Sequence, residues 1–178
     1  MKSDKGFTLI ELIVAMAVLG TVVGFIMSSF SGMLARQRLQ AAAENITDYF
    51  ILARAEAINR SSALHVSIVS GTNWCVGLDA TAACTCSTDG DCQLDGIGKT
   101  LSHDAFSGIT LSSVTSALQQ FSYDSRRGMP QNSAGTAAAS GDVVLSNAAG
   151  DSLTVKLNSV GRLKLCTTTV FRGYNPCS

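Results

Sequence analysis

The sequence predicts an α+β chain in which one long N-terminal α-helix packs on an antiparallel β-sheet domain. Three observations predict it. Residues 7–30 are apolar apart from Glu11. Residues 34–57 carry apolar side chains at three- and four-residue steps, the period of a helix that buries one stripe. Beyond Ser61 that period gives way to alternation, as in strands with one face turned to a core.

The helix comes first. About 24 residues at roughly 1.5 Å each reach about 36 Å, enough to cross a hydrocarbon core. An ordinary secretory signal has a shorter apolar core closed by a small-residue cleavage site. Here "SGMLA" at residues 31–35 matches such a site poorly. The plain alternative is a signal anchor with an incidental acid. Energetics oppose it, because an unpartnered carboxylate at the centre of a membrane helix costs about 2.5–3.5 kcal/mol on insertion scales. The amphipathic continuation places Leu34, Leu39, Ala42, Ala43, Ile46, Tyr49, Phe50, Ala53 and Ala57 on one stripe. Arg36, Arg38, Glu44, Asp48 and Arg54 fall mainly between them. No proline precedes Pro130, so one helix is expected to run from Phe7 to about Asn59, softened by Gly20, Gly24 and Gly32.

"KGFTLIELIVAMAVLG" (residues 5–20) resembles the class III prepilin signal of type IV pilins and type II secretion pseudopilins. The resemblance implies that a prepilin peptidase cuts between Gly6 and Phe7 and methylates the exposed Phe7 amine. It also implies that the apolar segment stays behind as an assembly helix. On this reading residues 1–6 are a leader peptide, residues 7–30 the membrane and assembly half of the helix, and residues 31–60 its amphipathic half. Residues 61–178 are the globular periplasmic domain. Glu11 then gains a partner, the N-terminal amine of a neighbouring filament subunit, and two desolvated opposite charges attract strongly. The implied location is the inner membrane, crossed once, with the domain outside the cytoplasm and extracellular in an assembled filament. Other major and minor pilins or pseudopilins are the implied partners.

The sheet elements follow in order. "ALHVSIVS" (residues 63–70) sets Leu64, Val66 and Ile68 on one face. "SGTN" turns the chain into "WCVGL" (residues 74–78), which makes a hairpin. Further strands are expected at residues 108–111, 120–123, 141–146, 152–157 and 162–167, with turns at "RRGMP", "NAAGD" and "NSVG". "NSAGTAAASG" (residues 132–141) is small and polar enough to be a mobile loop. The order "ARAEAINRSSALHVSIV", "WCVG", "FSYDSRRG", "GDVVLS", "LTVKLNSVGRLKLC" is similar to the GspH/FimT group of minor pseudopilins and minor pilins. The implied fold is therefore type IV pilin-like. The cysteine-rich residues 80–98 match no motif of that group.

Cys75, Cys84, Cys86, Cys92, Cys166 and Cys177 are an even set, for which disulfides in an oxidising compartment are the default. Zinc fails on ligand supply, since His65 and His103 are the sole histidines and neither stands at a finger spacing. The first four cysteines allow three pairings. Cys166 and Cys177 are the natural remaining pair, and would close the C-terminal tail into a loop.

Basic and acidic residues number 13 each, so no global field marks a nucleic-acid binder. Locally, five acids lie between Asp79 and Asp104 against Lys99 alone. The residues after Asp151 carry Lys156, Arg162, Lys164 and Arg172 with no acid. No enzyme is expected: His65 and His103 stand without a nucleophile elbow, a phosphate loop or a third zinc ligand, and no cofactor or metal is implied. "DGDCQLDGIG" (residues 89–98) alternates carboxylates as a Ca²⁺ loop does, but lacks the twelfth-position Glu. In FimT-type pilins of transformable bacteria a Gly-Arg-x-Arg motif binds DNA. Here Gly161 and Arg162 match it, Lys164 replaces the second arginine, and Arg172 could join them. About three phosphate contacts would give a log–log salt slope near −2.7 with double-stranded DNA. The bland reading is a charged edge strand that resists aggregation. The expected role is that of a minor type IV pilin at or near the filament tip, supporting assembly. A DNA-binding minor pilin and a GspH-type pseudopilin of type II secretion are the alternatives.

Overall fold

The computed structural model describes residues 8–169 and 171–177, with residues 23 and 25–30 described as backbone only. Helix α1 spans Leu9–Asn59. The chain divides into two compact units, Met1–Leu34 and Ala35–Ser178. In the first, the described large apolar side chains of α1 are exposed, from Leu9 at 79% to Val22 at 50%. Among the described residues no helix is long and apolar enough to cross a membrane. The span expected from the sequence, residues 7–30, includes Phe7, which lies outside the described residues, and seven positions described as backbone only.

In the second unit, α1 buries Leu39, Ala42, Ala43, Ile46, Phe50, Ala53 and Ala57 completely. Each large apolar side chain withdrawn from water in this way contributes about 1.5–3 kcal/mol. The small residues of the stripe let the helix backbone approach the sheet, and Phe50 fills the space between by meeting Phe121 edge-on at 5.5 Å. Leu34, expected on this stripe, is exposed instead, and Tyr49 is half-buried.

Two antiparallel sheets stand where a single one was expected. Their strands are β1 (Leu64–Val69), β2 (Cys75–Asp79), β5 (Thr100–Ser102), β6 (Ile109–Val114), β7 (Gln120–Tyr123), β8 (Pro130–Asn132), β9 (Gly141–Asn147), β10 (Ser152–Leu157) and β11 (Leu163–Cys166). The first sheet runs β5-β2-β1-β7-β8 and the second β11-β10-β9-β6. A small hairpin pairs β3 (Gln93–Leu94) with β4 (Ile97–Gly98). The two sheets are tied at a crossing between Gly71, in the β1–β2 turn, and Leu111 on β6, which bond to each other in both directions at 2.9 and 3.1 Å. Beside that crossing Trp74 is fully buried, donates its indole N–H to the Ile109 carbonyl at 3.0 Å and stacks on Phe106.

The cysteine-rich segment lies over the outer face of the first sheet. Its bridges interlock, Cys75 with Cys86 and Cys84 with Cys92. A Cβ at Gly77 would fall 2.8 Å from Cys86 Cβ and nearer still to Cys92 Sγ, so this strand position admits only glycine. Asp79 fastens the segment from within. Its carboxylate accepts hydrogen bonds from the Thr81 N–H and hydroxyl, the Ala82 N–H and the Gln93 N–H. Burial alone would raise its pKa, but these donors outweigh burial and hold it below the usual carboxylate range. Outside, Arg60 at the end of α1 grips both Asp95 oxygens, at 2.7 and 2.6 Å, and reaches Glu56 at 2.8 Å.

The loop expected to be mobile at residues 132–141 is tied down. Asn132 bonds to Thr136 and Ala137, the Ala139 N–H donates to the Pro130 carbonyl, and Ala139 is buried. The C-terminal tail is closed by Cys166–Cys177 and held to α1 by the Tyr174 hydroxyl, which donates to Glu44 at 2.8 Å. Burial and the Glu44 carboxylate push Tyr174 up to about 12.

Candidate functional site

Basic side chains gather around the turn that joins β10 to β11. "NSVG" folds there because the Asn158 side chain accepts the N–H groups of Val160 and Arg162, at 3.2 and 2.7 Å, in an Asx turn. Gly161 closes the turn with φ +81°, a left-handed conformation that favours glycine. The register then sets Leu163 opposite Leu157 and Lys164 opposite Lys156, with Lys156 also opposite Asp142 on β9. One cross-strand row therefore reads Asp142, Lys156, Lys164.

An open cleft of about 740 Å³ follows this row, lined by Asp142, Lys156, Asn158, Arg162 and Lys164 among others. Lys156 gives its ammonium to Asp142 at 3.1 Å, so that charge is matched within the sheet. Arg162 and Lys164 are both exposed. Arg162 also borders a smaller cleft of about 320 Å³ with Phe50, Ile51, Arg54 and Leu163, so it stands on the ridge between the two. Arg54 anchors the ridge from below, its Nη1 donating to the Gly161 carbonyl at 3.2 Å. Burial pushes the Tyr123 hydroxyl well above its ordinary value, and the nearby Arg54 charge opposes that.

The residues singled out from the sequence fare differently. Arg162 immediately precedes β11 and does not belong to it, yet it shares the cleft with Lys164. Arg172 is exposed on the disulfide-closed tail and is not part of the cleft lining. Gly6 and Phe7 lie outside the described residues. Glu11 is exposed in the first turn of α1, where its N–H donates to the Thr8 carbonyl at 3.1 Å. His65 sits on β1 opposite Asp79 and Ser122, while His103 faces Asp104 at 3.4 Å in a short 3₁₀ turn. Within the Ca²⁺ candidate, Asp95 is committed to Arg60 and Asp91 accepts the Thr85 N–H. Among the described residues no group of three or more His, Cys, Asp or Glu is placed to hold a metal ion.

Sequence reasoning missed Arg54, Lys156 and Asp142. The hairpin carried a signal that Lys156 and Lys164 lie on neighbouring strands, but the expected four-residue turn at 158–161 would set Lys164 across from Val155, and only the observed five-residue loop 158–162 sets it across from Lys156. Arg54 left none, because its partner Gly161 is distant along the chain.

Three comparisons bear on this arrangement. The family model described as type II transport protein GspH matches residues 42–161. The prokaryotic N-terminal methylation motif matches residues 1–27. Among solved structures, the minor pseudopilin EpsH from the type 2 secretion system of Vibrio cholerae is similar at a TM-score of 0.50 and 14% identity. The match covers 73% of this chain and 97% of that one, a likeness of fold. Comparison with curated proteins finds no match. With the GspH model spanning α1 from Ala42 onward and both sheets as far as Gly161, the chain belongs to the GspH family.

Proposed function

We propose that the chain is a non-enzymatic minor pilin of a type IV pilus, held in the inner membrane by the first half of α1 and added at or near the filament tip to support assembly. The observation that carries this reading is the N-terminal methylation motif on residues 1–27 joined to a GspH-type domain. A prepilin peptidase removes residues 1–6 and methylates Phe7. Residues 7–30 then serve as membrane anchor and assembly helix, and residues 61–178 as the periplasmic domain. The Cys166–Cys177 pair after "GRLKL" resembles the C-terminal cysteines of FimT and FimU proteins, and this resemblance favours the pilus. Mass spectrometry of the membrane-extracted protein should find a methylated Phe7 as the first residue. Any other terminus overturns the reading. Immunogold labelling of sheared filaments should then place the protein at filament ends. The description of the family model favours a second assembly, the pseudopilus of type II secretion. Loss of secretion with pili intact in a deletion strain would select it.

The exposed Arg162 and Lys164 beside one cleft favour an added role, binding of double-stranded DNA during uptake. Duplex DNA should be retarded by the protein at low salt and released as salt rises.

A further inference from the structure

The turn at residues 124–128 and the loop at 158–162 are distant in sequence and touch in the fold. A Cβ on Gly161 would stand 3.1 Å from the Gly128 carbonyl oxygen, and one on Gly128 would stand 2.8 Å from Arg54 Cγ. Both glycines have positive φ, +60° at Gly128 and +81° at Gly161. Two glycines and the Arg54 side chain thus lock the two segments together, with the Arg54 stem under one and its guanidinium bonded to the other. The consequence is for the neighbours. Arg126 and Arg127 precede one glycine, Arg162 follows the other, and all three are exposed.

The acid of the first turn does not neutralise them. Asp124 turns its carboxylate to the backbone, accepting the N–H groups of Arg126 and Arg127 at 3.3 and 2.9 Å. Among the described residues the side chains of Arg126, Arg127 and Arg162 make no ion pair. The nearest matched pair on the ridge, Lys156 with Asp142, leaves that excess unchanged. With one carboxylate, Asp124, beside three exposed guanidinium groups, the surface keeps an excess of positive charge, and a bound polyanion offsets it. The geometry also selects the kind of anion. An isolated phosphate needs donors that converge in an enclosed pocket, whereas exposed arginines spread over two adjoining segments suit charges repeated along a backbone.

We propose that Arg126 and Arg127 of the 124–128 turn join Arg162 in one cationic surface that takes successive phosphates of a duplex DNA backbone, with Arg54 as the positioning residue that holds the two segments together. The proposal rests on the DNA-binding reading above and adds to it two residues, a third as positioner, and a path across the domain.

The test uses the full chain in neutral detergent and fluorescence anisotropy of a labelled random duplex of about 30 base pairs, titrated between about 50 and 200 mM salt. Removing one phosphate-binding charge flattens the log–log salt slope by about 0.9. R126Q/R127Q should therefore flatten it by about 1.8 and R162Q by about 0.9. R38Q, which removes an equal single charge elsewhere on the domain, should leave the slope at the parental value. R126K/R127K, which keeps the charges, should also retain it, and a flattened slope in that variant would point to a damaged turn and overturn the proposal. A parental slope in R126Q/R127Q with a flattened slope in R162Q overturns the proposal and leaves the DNA reading standing. No anisotropy change with the parent protein at the lowest salt overturns that reading and this proposal together.

Discussion

Gly161 shows how one residue serves both conformation and contact. Its φ of +81° asks for glycine, and the 3.1 Å approach to the Gly128 carbonyl asks for the absence of a side chain. The two demands are separable. Gly150 has nearly the same φ, +85°, with nothing within 4 Å among the described residues. G150A should therefore cost about 1–2 kcal/mol for the left-handed backbone alone. G161A should cost more, because the 158–162 loop must also back away from the Gly128 carbonyl. Urea unfolding of the two variants checks this, and equal destabilisation would mean that the inter-loop packing gives way freely. The glycine of "GRLKL" thus has a structural duty beside the basic residues that follow it, and the sequence motif alone merges the two.

At the scale of elements, the cysteine-rich cover illustrates how a segment poor in large apolar residues is held. Two interlocked bridges, the Arg60 clamp and the Asp79 carboxylate replace a core of its own. Asp79 makes this cover acid-sensitive. Its folded pKa lies below its ordinary value of 3.8, so its contribution is fully present above that value and is lost as pH falls through the folded one. D79N should lower stability by about 1–3 kcal/mol at pH 7, since an amide nitrogen cannot accept the bonds a carboxylate oxygen accepts. The gap between parent and variant should close below about pH 3.8, as urea midpoints at pH 7 and pH 3 would show; a gap that stays constant would remove Asp79 from that role. That these four cysteines pair among themselves was legible beforehand; which pairing they take, and the Arg60 and Asp79 contacts, were not. β7 and β10 were readable to the residue because alternation and flanking turns bounded them. β3, β4, β5 and β8 are two or three residues long and carry no period. The split into two sheets depends on long-range pairings, β1 with β7 and β6 with β9, that local pattern does not encode. The site divides in the same way: Arg162 and Lys164 could be read from one short stretch of sequence, whereas Arg126 and Arg127 join them only through the meeting of two segments distant in sequence.

At the scale of the whole molecule, two surfaces of opposite character lie on one chain. The Ala35–Ser178 unit encloses its own core, while the described apolar side chains of α1 before Leu34 have no cover within their own unit. A free-standing helix of that composition requires lipid or neighbouring helices, and Glu11 discriminates between those two surroundings. In lipid alone an unpartnered carboxylate is costly, up to about 2.5–3.5 kcal/mol at a helix centre and less towards an end, whereas beside the Phe7 amine of a second subunit, as proposed above, the charge would be compensated. In the processing proposed above, that amine exists only after Gly6 is removed, which would couple processing and docking through one bond. E11Q keeps the shape, removes the charge and eases the residue's burial in lipid. It should therefore leave peptidase cleavage, membrane insertion and the disulfides of the domain unchanged, and should lower incorporation into sheared filaments severalfold. Immunoblots of membrane and filament fractions would separate these effects. Full incorporation of E11Q would show that lipid-like packing of the apolar helices is enough and that the charge pair is dispensable.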